Sequence, residues 1–222
     1  MKSLREQLGI RPAIDVHMES QALLRRGILH GMRVLDVGCG DGALISALGD
    51  VGATAVGLEI DPALVAAAVR RGLDVVHGQA EALPFANASF DAIVCCVVVP
   101  YTDQRLAVRE WARVLRPGGL VNATYHGPGY GLHYLLAPPE GFRSRFYGAR
   151  MLVNTAAYAV TGRRIPGFLG DTLCQTDTAM CGYAHASGLR VETSQVLDRT
   201  LGVARIRFHG LRKERSSPAS AI

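Results

Sequence analysis

The chain has 222 residues, of which 49% are hydrophobic and 19% are charged, proportions typical of a globular protein rather than a disordered one. This length suits one domain with a sizeable core and leaves room for an inserted sub-domain. The formal net charge of +5 favours an acidic substrate or an anionic surface. It is far from the dense basic stripe of a dedicated nucleic-acid-binding protein.

The cysteines and the apolar pattern bear on metal content and location. The five cysteines have no disulfide-scaffold spacing, so we expect a reducing compartment. Cys174 and Cys181 lack a CxxC spacing or a nearby histidine pair, and no metal site is predicted. Residues 1–20 have no continuous apolar core of a signal peptide, and no uncharged apolar run reaches about 18 residues. We therefore expect a cytoplasmic protein without stable membrane insertion.

The predicted elements begin with a helical cap at residues 1–30. Residues 31–126 then alternate short β-rich runs with helical segments, which is typical of βαβ units around a parallel sheet. Strands are predicted at 33–37, 54–59, 73–77, 90–99 and 120–125, and helices at 43–48, 62–71 and 104–115. The uninterrupted apolar run at 90–99 indicates a central strand buried on both faces.

The pattern changes after residue 126. Residues 127–172 are rich in Gly, Pro, Tyr and Arg, and are predicted to form an insertion that covers the substrate, with one helix near 146–160. Residues 173–213 are predicted to complete the core sheet with one helix, near 176–186, and two strands, at 189–197 and 203–211. Residues 214–222 are expected to form a disordered tail.

The sharpest motif is VLDVGCGDG at residues 34–42, where a strand runs into three glycines at alternate positions. Glycine tolerates positive φ and lets a ligand approach the backbone closely. The Gly-x-Gly-x-x-Ala spacing also fits the dinucleotide fingerprint, and Glu59 supplies the acid that a ribose needs in either ligand. Asp36 disfavours a pyrophosphate and tolerates a cationic amino-acid tail. The residues alone favour a sulfonium methyl donor over NAD, but leave both open.

Four segments resemble the class I S-adenosylmethionine-dependent methyltransferase superfamily, in its ubiquinone/menaquinone-methyltransferase-like branch. The segments are VLDVGCGDG (34–42), VGLEIDPALV (56–65), GQAEALPFANASFDAIVCC (78–96) and RVLRPGGLV (113–121). This resemblance implies an α/β, Rossmann-like fold with a seven-stranded, mostly parallel sheet, helices on both faces and an inserted helical or loop lid after the fifth strand. It also implies S-adenosylmethionine as cofactor and S-adenosylhomocysteine as product.

The resemblance places the cofactor at the ends of the first four strands. The implied cofactor-binding residues are Asp36, Gly38, Cys39, Gly40, Glu59, Ile60, Gln79, Ala80 and Cys95. The glycine loop would pack against the methionine part of the cofactor, and Glu59 would hold the ribose hydroxyls. Ile60, Gln79 and Ala80 would surround the adenine, while Cys95 would lie near the sulfur. The family often has Asp in place of Gln79, whose amide oxygen can still contact the adenine amino group.

The catalytic residues are harder to assign. After the fourth strand many relatives carry a histidine pair or Glu-His, whereas this chain reads VVVPYTD, which leaves Tyr101 or Asp103. The end of the fifth strand offers His126, and the segment beyond it offers His133. Histidine is the most usual base near neutral pH. Our candidate catalytic residues are therefore His126, His133 and Tyr101.

The predicted function is methyl transfer to a small molecule, with a hydroxyl oxygen of a secondary metabolite favoured over nitrogen or carbon. The apolar, Arg-flanked stretch at 151–160 leaves open a lipid or quinone acceptor, an acidic or amphipathic substrate, or a patch that touches a membrane. A nucleic-acid methyltransferase is not favoured, because no Asn/Asp-Pro-Pro-Tyr-type motif follows the fourth strand. A non-catalytic cofactor-binding protein and an NAD-dependent oxidoreductase are the remaining alternatives. We expect a monomer or a homodimer without a nucleic-acid partner.

Overall fold

The computed structural model describes residues 30–137, 141–162 and 172–215. The predicted helical cap at 1–30 and the predicted tail at 214–222 lie almost wholly outside the described residues. Residues 138–140 and 163–171 of the predicted lid lie outside them as well.

The first half of the described chain alternates strands and helices as predicted. The elements are β1 (Arg33–Val37), α1 (Ala43–Asp50), β2 (Thr54–Glu59), α2 (Pro62–Arg70), β3 (Val75–His77), β4 (Phe90–Cys96), α3 (Gln104–Val114) and β5 (Leu115–His126). A short 3₁₀ turn at Val99–Tyr101 leads from β4 towards α3. Asp61 and Asp103 cap α2 and α3, because their side chains accept hydrogen bonds from backbone N–H groups of the first turn.

The second half contributes three helices and two strands to the described structure. They are α4 (Pro128–Leu136), α5 (Phe142–Thr161), α6 (Asp177–Ala186), β6 (Leu189–Thr200) and β7 (Val203–Lys213). Among the described helices, none combines the length and the apolar character needed to cross a bilayer.

The strands form one seven-stranded sheet in the order β3-β2-β1-β4-β5-β7-β6. The first five strands are parallel, and β7 runs antiparallel to both of its neighbours. The predicted Rossmann-like, mostly parallel sheet is thereby confirmed. Since the carboxyl ends of the parallel strands share one edge, Val37, Glu59, Cys96 and His126 end their strands on the same side of the sheet.

Both faces of the central strands are covered. The residues of β1 beyond Arg33 are buried, as are five of the seven residues of β4, which explains the continuous apolar runs in the sequence. On one face, Trp111 of α3 and Met180 of α6 pack with the sheet in a large cluster. On the other face, Leu44 and Leu48 of α1 belong to a second cluster.

Several elements differ from their predicted bounds, mostly by one to four residues. Strand β4 ends at Cys96 instead of continuing to residue 99, because Val97 adopts a φ of 54° and breaks the extended backbone. Strand β5 begins earlier than predicted, at Leu115, and pairs Leu115 with Phe90 beside a register shift. The segment after β5, where no helix was predicted, contains α4, which begins with Pro128 in its first turn.

Candidate active site

The glycine loop follows β1 at the edge where the parallel strands end. Gly38, Gly40 and Gly42 all have positive φ, at 73°, 59° and 81°. The N–H groups of Gly38 and Cys39 donate to the carbonyl oxygen of Leu58 at 2.7 and 3.1 Å, which ties the loop to β2. These conformations require glycine, since a Cβ in the left-handed region is strained.

Glu59 holds the glycine loop from the neighbouring strand. Its side chain is buried, and its Oε2 accepts a hydrogen bond from the N–H of Gly40 at 2.9 Å. Its Oε1 accepts from the N–H groups of Ile60 and Asp61 at 2.9 and 3.1 Å. Because a carboxylate has about four acceptor positions, this arrangement leaves room for a ligand hydroxyl beside the loop. Asp36 is also buried, at the end of β1.

The residues expected around an adenine lie next to Glu59. The side chain of Ile60 is 61% exposed, although isoleucine is usually buried, so it offers an apolar surface to a ligand. The N–H of Gly78 donates to the carbonyl oxygen of Glu59 at 3.0 Å and brings the following residues to the same edge. Gln79 is exposed, whereas Ala80 is buried.

Two of the predicted cofactor residues are cysteines with buried side chains. Cys95 pairs with Val37 in the sheet, and its side chain is fully buried in the hydrophobic core. Cys39 is buried against Gly57, where an added Cβ would lie 2.5 Å from its Sγ. The side chain of Cys95 therefore packs in the core beneath the edge where the parallel strands end.

The acceptor side begins with His126, the last residue of β5. Its imidazole is buried and stacks on the ring of Tyr130, with the ring centroids 3.6 Å apart. Burial lowers the pKa of His126 to about 3, so the ring is neutral at pH 7. Its Nδ1 has no hydrogen-bond partner among the described residues.

Tyrosines extend this cluster from α4 to α5. The hydroxyls of Tyr130 and Tyr134 share a hydrogen bond of 3.4 Å, and the rings of Tyr134 and Tyr147 meet edge to face. Burial raises the pKa of Tyr130, its hydrogen bond with Tyr134 raises it further, and Tyr147 and Tyr101 add smaller electrostatic contributions. The Tyr130 phenol is therefore protonated at neutral pH and can donate a hydrogen bond.

His133 lies one helical turn from the core of this cluster and is only partly buried. Burial and the positive charge of Arg205 lower the pKa of His133, which also keeps this imidazole neutral. His126 and His133 thus occupy different environments, since His126 is enclosed and His133 is only partly buried.

Gln175 is a buried polar residue of this region that the sequence reasoning missed. Its N–H donates to the carbonyl oxygen of His126 at 2.8 Å, and its Nε2 donates to the carbonyl oxygen of Leu173. Its buried Oε1 has no hydrogen-bond partner among the described residues. No sequence signal marks Gln175, because it belongs to no motif and reaches His126 only through the fold.

Two other features lie apart from the glycine loop. A surface cavity of about 590 Å³ between α3 and α6 is lined by Arg105, Arg109 and Lys213, near the start of β5. Asp177, Cys181 and His209 form a possible metal-ligating group in the described part of the chain. However, Arg207 already pairs with the Oδ1 of Asp177 at 2.8 Å, and a cation there opposes a metal ion.

Residues 35–122 match the methyltransferase domain family. An uncharacterized protein of Mycobacterium tuberculosis is 36% identical over 168 residues, which are 69% of this chain and 57% of that protein. A demethylmenaquinone methyltransferase of Renibacterium salmoninarum is 36% identical over 109 residues, 47% of this chain and 46% of that protein. The chain therefore spans about half the length of these curated relatives.

A solved structure has a similar fold over nearly the whole chain. An S-adenosylmethionine-dependent methyltransferase from Mesorhizobium loti superposes with a TM-score of 0.65 at 18% identity, over 90% of this chain and all of that one. The domain match covers the glycine loop, Glu59 and the centre of the sheet. Residues 35–122 therefore belong to the methyltransferase domain family, and the fold around them is the one seen in solved S-adenosylmethionine-dependent methyltransferases.

Proposed function

We propose that the chain transfers the methyl group of S-adenosylmethionine to a hydroxyl oxygen of a small, largely apolar acceptor such as a secondary metabolite. One juxtaposition carries the proposal. The glycine loop with Glu59, and the stacked pair of His126 and Tyr130, lie at the ends of strands that share one edge of the sheet. In open α/β sheets ligands bind beyond this edge.

In this proposal the glycine loop and Asp36 receive the methionine part of the cofactor. Glu59 accepts hydrogen bonds from the ribose hydroxyls, a role supported by its buried carboxylate beside the N–H of Gly40. Ile60 covers one face of the adenine, which its exposed side chain supports.

Methyl transfer is an in-line displacement, in which the acceptor oxygen forms a bond to the methyl carbon while the carbon–sulfur bond breaks. The electron pair of the broken bond returns to sulfur and leaves S-adenosylhomocysteine. The sulfonium supplies the activation, so the protein mainly aligns the two ligands and excludes water. The hydroxyl proton must leave, and it becomes strongly acidic as the new oxygen–carbon bond forms.

His126 is the residue that we propose to receive this proton. Its neutral ring and its Nδ1, which lacks a partner among the described residues, suit it to accept a hydrogen bond from the acceptor hydroxyl. A pKa of about 3 makes it a weak base towards an unreacted hydroxyl, because an efficient base has a pKa near the working pH. We therefore infer that His126 orients the hydroxyl first and takes the proton late. Tyr101 and His133 remain candidates for orienting the acceptor.

A lipid or quinone acceptor is the second candidate. The half-buried tyrosines Tyr130, Tyr134 and Tyr147 form an aromatic region that suits a ring or an isoprenoid chain. The similarity to a demethylmenaquinone methyltransferase over 47% of this chain favours the same class.

A cytoplasmic location is part of the proposal. All five cysteines lie in described residues and none of them forms a disulfide, which supports a reducing compartment.

Isothermal titration with S-adenosylmethionine, S-adenosylhomocysteine and NAD tests the cofactor site. We expect micromolar binding of the first two and none of NAD. Glu59→Ala should weaken binding by about tenfold or more, since a hydrogen bond to a charged group contributes about 1.5–3 kcal/mol. Glu214→Ala removes an exposed carboxylate after β7 and serves as the control. Binding of NAD in preference to the sulfonium would overturn the proposal.

A screen of phenols, quinones and glycosides as acceptors tests the transfer. With the best acceptor, His126→Gln should lower kcat by about a hundredfold, within the usual range for acid–base groups, and leave cofactor affinity intact. Near-normal turnover in this variant would remove His126 from the reaction. No transfer to any acceptor, with cofactor binding intact, would favour a non-catalytic cofactor-binding protein.

A further inference from the structure

Helix α5 exposes large apolar side chains, whereas its buried face combines Met151 with small or polar residues. Its buried positions include the polar or small residues Ser144, Gly148 and Asn154. Its exposed positions include Phe142, which is 82% exposed, and Val160, which is 87% exposed. A helix that packs on a core and faces water shows the opposite distribution.

The exposed apolar residues form a stripe along α5. With 3.6 residues per turn, Phe142, Val153 and Val160 lie within about 20° of one another around the helix axis. Val153 is 53% exposed. At 1.5 Å per residue the stripe is about 27 Å long. Isolated exposed apolar side chains are common, but an aligned set on one helix indicates a surface that makes contact.

The charged side chains of α5 are all arginines. Residues 141–170 contain five arginines and no Asp or Glu. Arg145 and Arg143 lie on opposite sides of the apolar stripe, since they are displaced from Phe142 by about 60° and 100° around the helix. Both side chains are exposed. An apolar stripe with flanking cations is the pattern of a helix that lies in the plane of a membrane interface.

We propose that α5 binds an anionic lipid surface. Phe142, Val153 and Val160 enter the boundary of the acyl chains, and the flanking arginines contact the lipid phosphates. The binding is peripheral and needs no membrane-spanning helix. A second copy of the chain fits this surface less well, because a symmetric contact would bring two helices together that carry arginines and no acidic residue.

The side of α5 that faces α4 connects the proposed lipid-binding surface with the acceptor cluster. Tyr147 contacts Tyr134 of the acceptor cluster, and Gly148 packs closely against α4. An acceptor dissolved in the lipid would thus approach beside the helix that helps to enclose it. Only this step rests on the proposed function.

Co-sedimentation of the full chain with lipid vesicles tests the proposal. We expect binding to phosphatidylcholine vesicles with about 30% phosphatidylglycerol, and at least about tenfold weaker binding to pure phosphatidylcholine. The double variant Phe142→Ser/Val160→Ser should reduce binding to the anionic vesicles by about tenfold or more. The double variant Arg143→Gln/Arg145→Gln should reduce it as much, and this second reduction should become smaller at high salt. Leu201→Ser is the control, because Leu201 is 79% exposed in the β6–β7 turn.

Cofactor titration of each variant shows that it is folded. Loss of vesicle binding with unchanged cofactor affinity would support the proposal. Failure of the unaltered chain to bind anionic vesicles would overturn it. A dimer in solution that Phe142→Ser/Val160→Ser converts to a monomer would overturn it as well and would assign the stripe to a contact between copies. Vesicle binding without transfer to any acceptor would support the lipid surface and reject only the proposed reaction.

Discussion

Gly38 is a residue at which backbone conformation and packing both restrict the side chain. Its φ is 73°, and an added Cβ would lie 2.2 Å from Cγ2 of Val98. Val98 follows β4, so the first glycine of the loop also fixes how closely the segment after β4 approaches β1. The glycine that a sequence motif assigns to ligand binding here serves the packing of two strands as well.

A double-mutant cycle separates these two demands on Gly38. Gly38→Ala should destabilise the protein by about 1–2 kcal/mol through its left-handed φ, with an additional cost from the overlap with Val98. Adding Val98→Ala to Gly38→Ala should recover the stability lost through the overlap with Val98, but not the stability lost through the left-handed φ. Gly72→Ala is the matched control, because Gly72 has a φ of 81° and nothing within 4 Å of an added Cβ. Urea unfolding measures Gly38→Ala, Val98→Ala, the double variant and Gly72→Ala, and equal losses in Gly38→Ala and Gly72→Ala would contradict the steric argument.

At the scale of elements, the contact between α4 and α5 builds the acceptor side. An added Cβ on Gly148 would lie 2.6 Å from the carbonyl oxygen of Gly131 and 2.8 Å from the backbone nitrogen of Leu135. The two helices therefore meet backbone to backbone. This close approach brings Tyr134 of α4 and Tyr147 of α5 into edge-to-face contact.

Enlarging Gly148 should open this contact. In Gly148→Ala the new Cβ meets backbone atoms, which cannot rotate away, so we expect α4 and α5 to separate and the unfolding free energy to fall by about 1–3 kcal/mol. Acceptor turnover should fall, while cofactor affinity stays constant. Gly182→Ala lies in α6 with nothing within 4 Å of its Cβ and should stabilise the protein by about 0.5–1 kcal/mol. Unchanged stability in Gly148→Ala would contradict the close approach.

For the molecule as a whole, strands β5 and β7 carry two buried histidines that are neutral in the folded protein. His126 ends β5, and His209 lies on β7 with its Nε2 2.7 Å from Oδ1 of Asp177. Burial lowers the pKa of His126 to about 3 and lowers that of His209 despite this carboxylate. Both rings therefore resist protonation while the protein is folded.

Stability should consequently depend on pH below neutrality. Above pH about 6.5 the histidines are neutral in both states, but below it the unfolded chain binds protons that the folded chain does not. The unfolding free energy should fall as pH decreases from about 6.5 to 4.5, and His126 alone should contribute about 1.4 kcal/mol for each pH unit. Urea unfolding of His126→Gln should show a shallower slope, whereas His185→Gln, at an exposed position of α6, should not. Parallel slopes in all three proteins would contradict the burial of His126.

The sequence by itself determined the cofactor half of the protein. Glycines at positions 38, 40 and 42, an acid at the end of β2 and the alternation of strands and helices are local signals, because each depends on backbone conformation or on residues close in the chain. The structure brings Gly40 and Glu59 into direct contact. The roles of these residues towards the cofactor remain predictions.

The tertiary structure decided the acceptor half. Nothing local predicts α4, with its three glycines or prolines in nine residues, or the contact of Gln175 with His126. The apolar residues of 151–160 were visible in the sequence, but which of them α5 buries depends on the neighbours that cover it. Burial and hydrogen bonding between distant segments are properties of the packed chain, so composition and spacing cannot specify them in advance.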